Sequence, residues 1–397
     1  VAEVFWSGTA HFHEETAEWL DRVAKITPIL VRHREQAERE RVTPLAVIEA
    51  LRAQSIHRMW VSPAFGGGGV SVRTGSAVLQ ALARVDAAVA WQMGVQGVIS
   101  RMSDYLPEPV ATQLFRDCDG LVVGGINPTG QAEPVTGGYR LRGRWSFASG
   151  STHADWLVCA CVITAPDSTP PSSTAPAPTR MLFVPSDAVR FDDDWRTVGL
   201  RGTGSVSFSV DNLFVPGDFT VDGSLLRRPP QDRPSRGHAI AYYDFGPFTT
   251  ASTALGIAQD ALSAFPGIAV GTVPARGTES LAASHIVQAG LARAAALVRS
   301  AELMLADAAD QATTRRESGG EKLSALIRLA AATVGENAVR AVDSLHSLAG
   351  TRALAAGGRL DRCFRDVHSA VAHITLAPTN FEMVGAYLLG NALLMRR

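Results

Sequence analysis

Gly143-Arg-Trp145-Ser-Phe147-Ala-Ser149-Gly150-Ser-Thr-His153-Ala-Asp-Trp156 carries the strongest fold signal in the chain, and Gly125-Ile-Asn127-Pro128-Thr129-Gly130 precedes it. Trp145, Phe147 and Ser149 stand two apart, which along a strand places them on one face. Two aromatic rings and a hydroxyl on one sheet face suit a flat heteroaromatic ligand. The rings supply apolar area and the hydroxyl a hydrogen bond. The same spacing also suits a sheet face packed on a helix. The Asn-Pro-Thr-Gly segment reads as a turn that exposes backbone amides beside polar side chains.

Around this stretch the sequence has strand character from about residue 119. Leu121–Ile126, Tyr139–Phe147, Trp156–Ile163, Met181–Val184 and Ser205–Val210 read as strands punctuated by glycines. Residues 165–179, rich in Pro, Ser and Thr, read as a mobile surface excursion. Residues 1–118 read as helical: Glu14–Arg39, a helix opened by Thr43-Pro44 with Thr as its cap, then Ser71–Arg84 and Asp86–Tyr105. The Gly66–Gly69 run reads as a loop; it lacks the lysine of a phosphate-binding loop. From about 240 the chain is alanine-rich and helical, over roughly 247–264, 280–312, 321–350 and 359–390, which suits a bundle. The expected domains are 1–118 helical, 119–228 β and 229–397 a helical bundle, an α+β chain.

Composition excludes several functions. Of 397 residues 46% are hydrophobic, enough for a large core. The net charge of −1 shows no basic stripe for nucleic acid and no basic amphipathic helix for a membrane surface. No apolar run reaches membrane-spanning length, and Val1–Trp6 does not read as a signal peptide. Cys118, Cys159, Cys161 and Cys363 lack zinc-site spacing and read as buried small hydrophobes in a reducing, cytoplasmic setting.

The second chemical signal is Arg359-Leu-Asp-Arg-Cys-Phe-Arg365-Asp366-Val-His-Ser-Ala-Val-Ala-His373. In a continuous helix Asp366, Ser369 and His373 form one stripe. That would hold an imidazole beside a carboxylate and a hydroxyl; a satisfied core histidine is the plain alternative.

The helical–β–helical order, with these motifs, resembles the acyl-CoA dehydrogenase fold: an N-terminal helical domain, a central β-barrel-like domain and a C-terminal four-helix bundle. Gly-x-Trp-x-Phe-x-Ser-Gly-x-x-His-Ala-x-Trp is most similar to its flavin-dependent monooxygenase branch. That branch comprises the oxygenase components of two-component systems, including phenol hydroxylases, the dibenzothiophene oxygenase and amino-sugar nitrososynthases. Gly199-Leu-Arg201-Gly-Thr203-Gly-Ser205 and Leu360–Asp366 match in the same order. Dehydrogenases of this fold keep a glutamate about eight residues after the Arg-Asp pair. Here Ala372-His373-Ile374-Thr375 stands there, and Phe248–Ala264 offers only Asp260 as an acid.

The resemblance implies reduced FMN or FAD from a separate flavin reductase, dioxygen as co-substrate, and hydroxylation or N-oxygenation of a small organic molecule. It implies His373 as the base near the flavin with Asp366 orienting it, and Ser149 as a donor at the flavin's reactive nitrogen. Asn127, Thr129, Gly130 and Phe147 would line the ring, and Arg276 would meet a phosphate. Gly350 and Thr351 would reach the cofactor of a neighbouring subunit in a homotetramer. Trp91 and Gln96 fall where the substrate lies. Gln92, Gln96 or Ser100 stands where phenol hydroxylases often keep a second histidine, so an amine, an aliphatic carbon or a polyketide-like ring stays open as substrate. His153 reads as a structural contact to loop backbone. A dehydrogenase with an atypical base and a non-catalytic flavin-fold binding subunit are the alternatives.

Overall fold

The computed structural model describes residues 14–118, 120–164, 177–230, 240–275, 277–314 and 320–393. Helices α1 (Glu14–Glu40), α2 (Leu45–Ala53), α3 (Val72–Ala83) and α4 (Ala87–Ser100) open the fold. On α1, Trp19, Val23, Ile26 and Leu30 recur at helical spacing and are buried. The Ser71 hydroxyl caps α3 by accepting the Thr74 amide at 3.1 Å. Asp86 caps α4, accepting from Ala88 and Val89 at 2.9 and 3.2 Å. Thr43 does not cap the helix that follows it. Its hydroxyl donates instead to the Gly202 carbonyl at 3.0 Å, tying the first helices to the β region. The short α5 (Glu108–Ala111) leads into the sheet.

Strands β1 (Leu121–Val135), β2 (Gly138–Trp145), β3 (Ala154–Ile163), β4 (Thr179–Pro185), β5 (Arg190–Phe191), β6 (Phe208–Pro216) and β7 (Thr220–Asp222) form one sheet in the order β5-β6-β2-β1-β3-β4-β7. The β1–β3 pair is parallel and the others are antiparallel. Asn127-Pro-Thr-Gly130 is not a turn. It lies inside β1 as a bulge, because Gly125 pairs with Cys159 and Gly130 with Cys161. Trp145 is the reason for the flanking glycines, since a Cβ at Gly125 or Gly130 would collide with its side chain. Its indole fills the core of the sheet, stacks on Phe208 and donates to the Ala160 carbonyl at 2.8 Å. Cys159 and Cys161 share this core, and all four cysteines are buried and free.

The rest is helical: α6 (Tyr242–Val270), α7 (His285–Thr314), α8 (Gly320–Ala349), α9 (Arg359–Ala370) and α10 (Thr379–Leu388). By length and composition α6 alone among described helices could cross a membrane, but it is the central core helix, packed on α3, α4, α8 and α9. The long helix expected over 359–390 is broken. It stops at Ala370 and resumes at Thr379, with a single 3-10 turn at Ile374–Leu376 between. Pro378 before the restart cannot donate within a continuous helix, which is one local cause. Most of the excursion at 165–179 falls outside the described residues.

Candidate active site

The break after α9 decides how the site is built. His373 is not on a helical stripe with Asp366; it caps the 3-10 turn beyond the helix end. Its Nδ1 accepts the Thr375 amide at 3.3 Å and lies 2.8 Å from the Thr375 hydroxyl. That hydroxyl is 2.7 Å from Thr250 on α6. Because Nδ1 accepts, the proton of the neutral ring sits on Nε2. Nε2 has no hydrogen-bond partner among the described residues. Burial pushes the imidazole down to about 4, so the ring is neutral at pH 7. The Trp91 ring of α4 stands edge-on to it at 5.6 Å between centroids.

Asp366 is engaged elsewhere. Its carboxylate accepts the Leu200 amide at 2.7 Å. Burial raises it to about 7, helped by nearby Asp86 and Glu38 and opposed by the Leu200 amide and Arg365. Ser369 returns its hydroxyl to the Arg365 carbonyl at 2.9 Å. The orienting partner of His373 is therefore Thr375, a residue the helical spacing could not select.

The β side of the site is a strap, residues 147–150, rather than a strand face. β2 ends at Trp145, so the period of two is lost. Trp145 is 1% exposed, Phe147 71% and Ser149 2%. Phe147 has a left-handed backbone, φ 66°, uncommon for an aromatic residue. Its ring meets Trp195 edge-on at 6.3 Å. Asn127 and Thr129 are also exposed, and the Thr129 hydroxyl donates to the Arg144 carbonyl at 2.8 Å. Gly130 is buried against Trp145 and has no open face of its own.

The strap rests on the loop 199–206. Ala148 N–H donates to the Val206 carbonyl at 3.1 Å and Gly150 N–H to the Thr203 carbonyl at 2.8 Å. The Ser149 and Ser205 hydroxyls are 2.6 Å apart, those of Ser205 and Thr203 2.7 Å, and Thr203 donates to the Leu200 carbonyl at 2.8 Å. All three helical and β regions meet here: Thr43 and Gln92 bond the Gly202 carbonyl, Arg201 bonds the Glu38 carbonyl, and Asp366 holds Leu200. Gly199 touches the α9 backbone so closely that a Cβ would overlap the Arg365 carbonyl. His153 does contact loop backbone, its Nε2 lying 2.7 Å from the Thr43 carbonyl oxygen.

Gln96 is buried and accepts the Val122 amide at 2.7 Å, a strand-anchoring contact. Gly350 and Thr351 are exposed on a 3-10 turn. Arg276 lies outside the described residues. On the β side Phe147 exposes an aromatic ring, and Asn127 and Thr129 expose polar side chains. Asp260 is not an available base. Arg359 Nε donates to it at 2.7 Å and Cys363 lies 3.3 Å from its other oxygen.

Residues 248–378 match the acyl-CoA dehydrogenase C-terminal domain. The chain is 29% identical to the oxygenase component of an FADH2-dependent resorcinol hydroxylase from a Rhizobium species, over 94% of this chain and 93% of that one. It is 26% identical to indole-3-acetate monooxygenase of Pseudomonas putida, over 89% of each. In structure it superposes on XiaF from a Streptomyces species, solved with FADH2 and glycerol, with TM-score 0.90, 24% identity, and 96% and 97% of the two chains covered. The dibenzothiophene monooxygenase of a Paenibacillus species, solved with FMN and indole, gives TM-score 0.79 at 21% identity over 94% and 96%. The chain has the acyl-CoA dehydrogenase-like fold, and the relatives it matches over most of its length include oxygenase components of flavin-dependent monooxygenases.

Proposed function

We propose that this chain is the oxygenase component of a two-component monooxygenase, using reduced flavin and dioxygen to oxygenate a small organic molecule. The observation that carries this reading is His373: a neutral imidazole with Nδ1 tied down, Nε2 unengaged and Trp91 at its edge. Its position is that of the missing dehydrogenase glutamate, and Asp260 is held by Arg359 and Cys363.

When bound, a reduced flavin supplies electrons to dioxygen. The protein's share is positioning. Phe147 would carry the ring system, with Asn127 and Thr129 at its edge and the Ser149 hydroxyl of the same strap beside it. Trp91 would pack on the substrate's apolar body. His373 meets the substrate as an Nε2–H donor, holding an oxygen or nitrogen in place. It becomes a base only when Nδ1 takes the proton and releases the Thr375 amide. A phenol or an arylamine satisfies both Trp91 and Nε2–H. Keeping water from the bound flavin would limit its unproductive loss as hydrogen peroxide.

A separate reductase is the implied source of reduced flavin. A homotetramer built on the bundle is the implied assembly, supported by exposed Ile286, Leu303, Leu354 and Leu388 on its surface. In that assembly Gly350 and Thr351 would approach the cofactor of a neighbour.

The test is single turnover of the protein with reduced FMN or FAD and oxygenated buffer, across phenols and arylamines, measuring product and hydrogen peroxide. His373→Ala and Ser149→Ala should lower product per reduced flavin and raise peroxide. Wild-type coupling in both variants would remove these two residues from the site. If no reduced flavin binds, the oxygenase reading itself fails.

A further inference from the structure

The hydroxyl chain beneath the strap has a direction. Each hydroxyl owns one proton. Thr203 spends its proton on the Leu200 carbonyl, which can only accept, at 2.8 Å. The 2.7 Å contact between Thr203 and Ser205 must then be donated by Ser205. With that proton used, the 2.6 Å contact between Ser205 and Ser149 must be donated by Ser149. The Leu200 carbonyl at the head of the chain is fixed in turn, because Leu200 is held by Asp366 through its amide.

We infer that Thr203 and Ser205 are positioning residues that turn the Ser149 proton inward, so that Ser149 meets a bound flavin as an acceptor and selects the reduced form. This reverses the donor role that the sequence motif implies. It rests on the proposed flavin site and deepens it. A reduced flavin carries a proton on N5 and can donate to such an oxygen. An oxidised flavin offers only a lone pair at N5, and two facing acceptors repel. The protein therefore releases spent oxidised flavin and takes up reduced flavin through the same hydroxyl. No second conformation is needed for the discrimination.

Two other features of the fold offer less. Arg101 is fully buried with two guanidinium nitrogens lacking hydrogen bonds among the described residues, but it is already held by the Ile240 carbonyl and the Phe245 ring. The open groove of about 400 Å³ beside Arg352 and Asp361 has no buried polar side chain aimed into it.

The experiment measures dissociation constants of FMN and FAD, oxidised by fluorescence quenching and reduced under anaerobic conditions. The proteins are wild type, Ser205→Ala, Thr203→Val, Thr203→Ser and Ser149→Ala. Wild type should favour reduced flavin. Ser205→Ala and Thr203→Val free a proton at Ser149, and the ratio of oxidised to reduced dissociation constants should fall about tenfold. That equals about 30 mV in the two-electron potential of the bound flavin. Thr203→Ser keeps the chain and should match wild type. Ser149→Ala should abolish the effect of adding Ser205→Ala. A merely structural role would weaken both redox forms equally and leave the ratio alone. An unchanged ratio in folded Ser205→Ala and Thr203→Val, checked by circular dichroism, overturns the assignment. So does an unchanged reduced-flavin affinity in Ser149→Ala. Failure of wild type to bind either redox form would instead take down the flavin-site reading, and this inference with it.

Discussion

The carboxylate of Asp366 accepts the backbone amide of Leu200 at 2.7 Å, joining helix α9 to a loop 166 residues earlier in the chain. Leu200 is left-handed, φ 50°, so the loop needs an external hold to keep this shape. Asp366 supplies it, and through Thr203 and Ser205 the hold reaches the strap.

Removing that acceptor should loosen the β side of the site while leaving His373 on Thr375. Asp366→Ala leaves a buried amide unpaired and should cost about 1–3 kcal/mol. Asp366→Asn retains a carbonyl acceptor and should cost less. Denaturant midpoints give the stability. Hydrogen exchange should rise at 199–206 more than at 373–376 in the alanine variant; equal rises would place Asp366 outside this linkage.

Stability should respond to pH in two opposed ways. Burial lowers His373 to about 4 from the usual 6.5 of a histidine, so the unfolded chain binds its proton first. Its contribution is complete above pH 6.5 and is lost as pH falls toward 4. Asp366 is raised to about 7 from 3.8, so the folded state holds its proton longer. Its ionisation therefore erodes stability as pH rises from 4 to 7. Relative to wild type, His373→Gln should gain melting temperature at pH 5 over pH 7. Asp366→Asn should gain at pH 7 over pH 5. Parallel profiles for all three proteins would contradict both shifts.

Thr375→Val removes the hydroxyl that lies 2.8 Å from Nδ1 and 2.7 Å from Thr250. The backbone amide bond to Nδ1 remains. Coupling of flavin oxidation to product should fall severalfold, in the range of about 1 kcal/mol for one neutral hydrogen bond. Thr375→Ser should restore it. A Val variant with wild-type coupling would show that the amide alone orients the ring.

Gly199→Ala tests the contact between loop and helix. Its Cβ would overlap the Arg365 carbonyl and crowd the Ser369 hydroxyl. Separation of loop from helix should cost about 1–3 kcal/mol. It should also impair coupling, because Leu200 moves with it. Thermal melts and product yield from one preparation measure both; an undisturbed melt would show that the backbone there yields freely.

The fold was legible because its signals are regional. Helical periodicity before residue 118, strand-like runs between Leu121 and Val210, and alanine-rich helices afterwards give the layer order without tertiary information. The site was legible in part. His373 stands out because the resemblance to the dehydrogenase fold implies a glutamate where this chain has a histidine. Its surroundings were misread because Asp366 and His373 fit a helical repeat that the chain abandons at Ala370. Likewise Trp145, Phe147 and Ser149 fit a strand repeat that stops after Trp145. Periodicity extends an element past its end unless a stop signal is weighed. Pro378 and the left-handed Phe147 are the stops here, and only the first is visible in sequence. Thr375, Thr203 and Ser205 were missed because their partners lie far away in the chain or depend on a loop conformation.

The carbonyl of Gly202 receives Thr43 from ahead of α2 and Gln92 from α4, while Leu200, two residues earlier, is gripped by α9. Seen as a mechanical joint, this loop is pinned on three sides, so no part of the molecule can swing away without breaking its fellows' bonds. Such a joint cannot work as a jaw. Entry and exit of a ligand would then rely on local yielding of side chains and short segments, with the frame standing still.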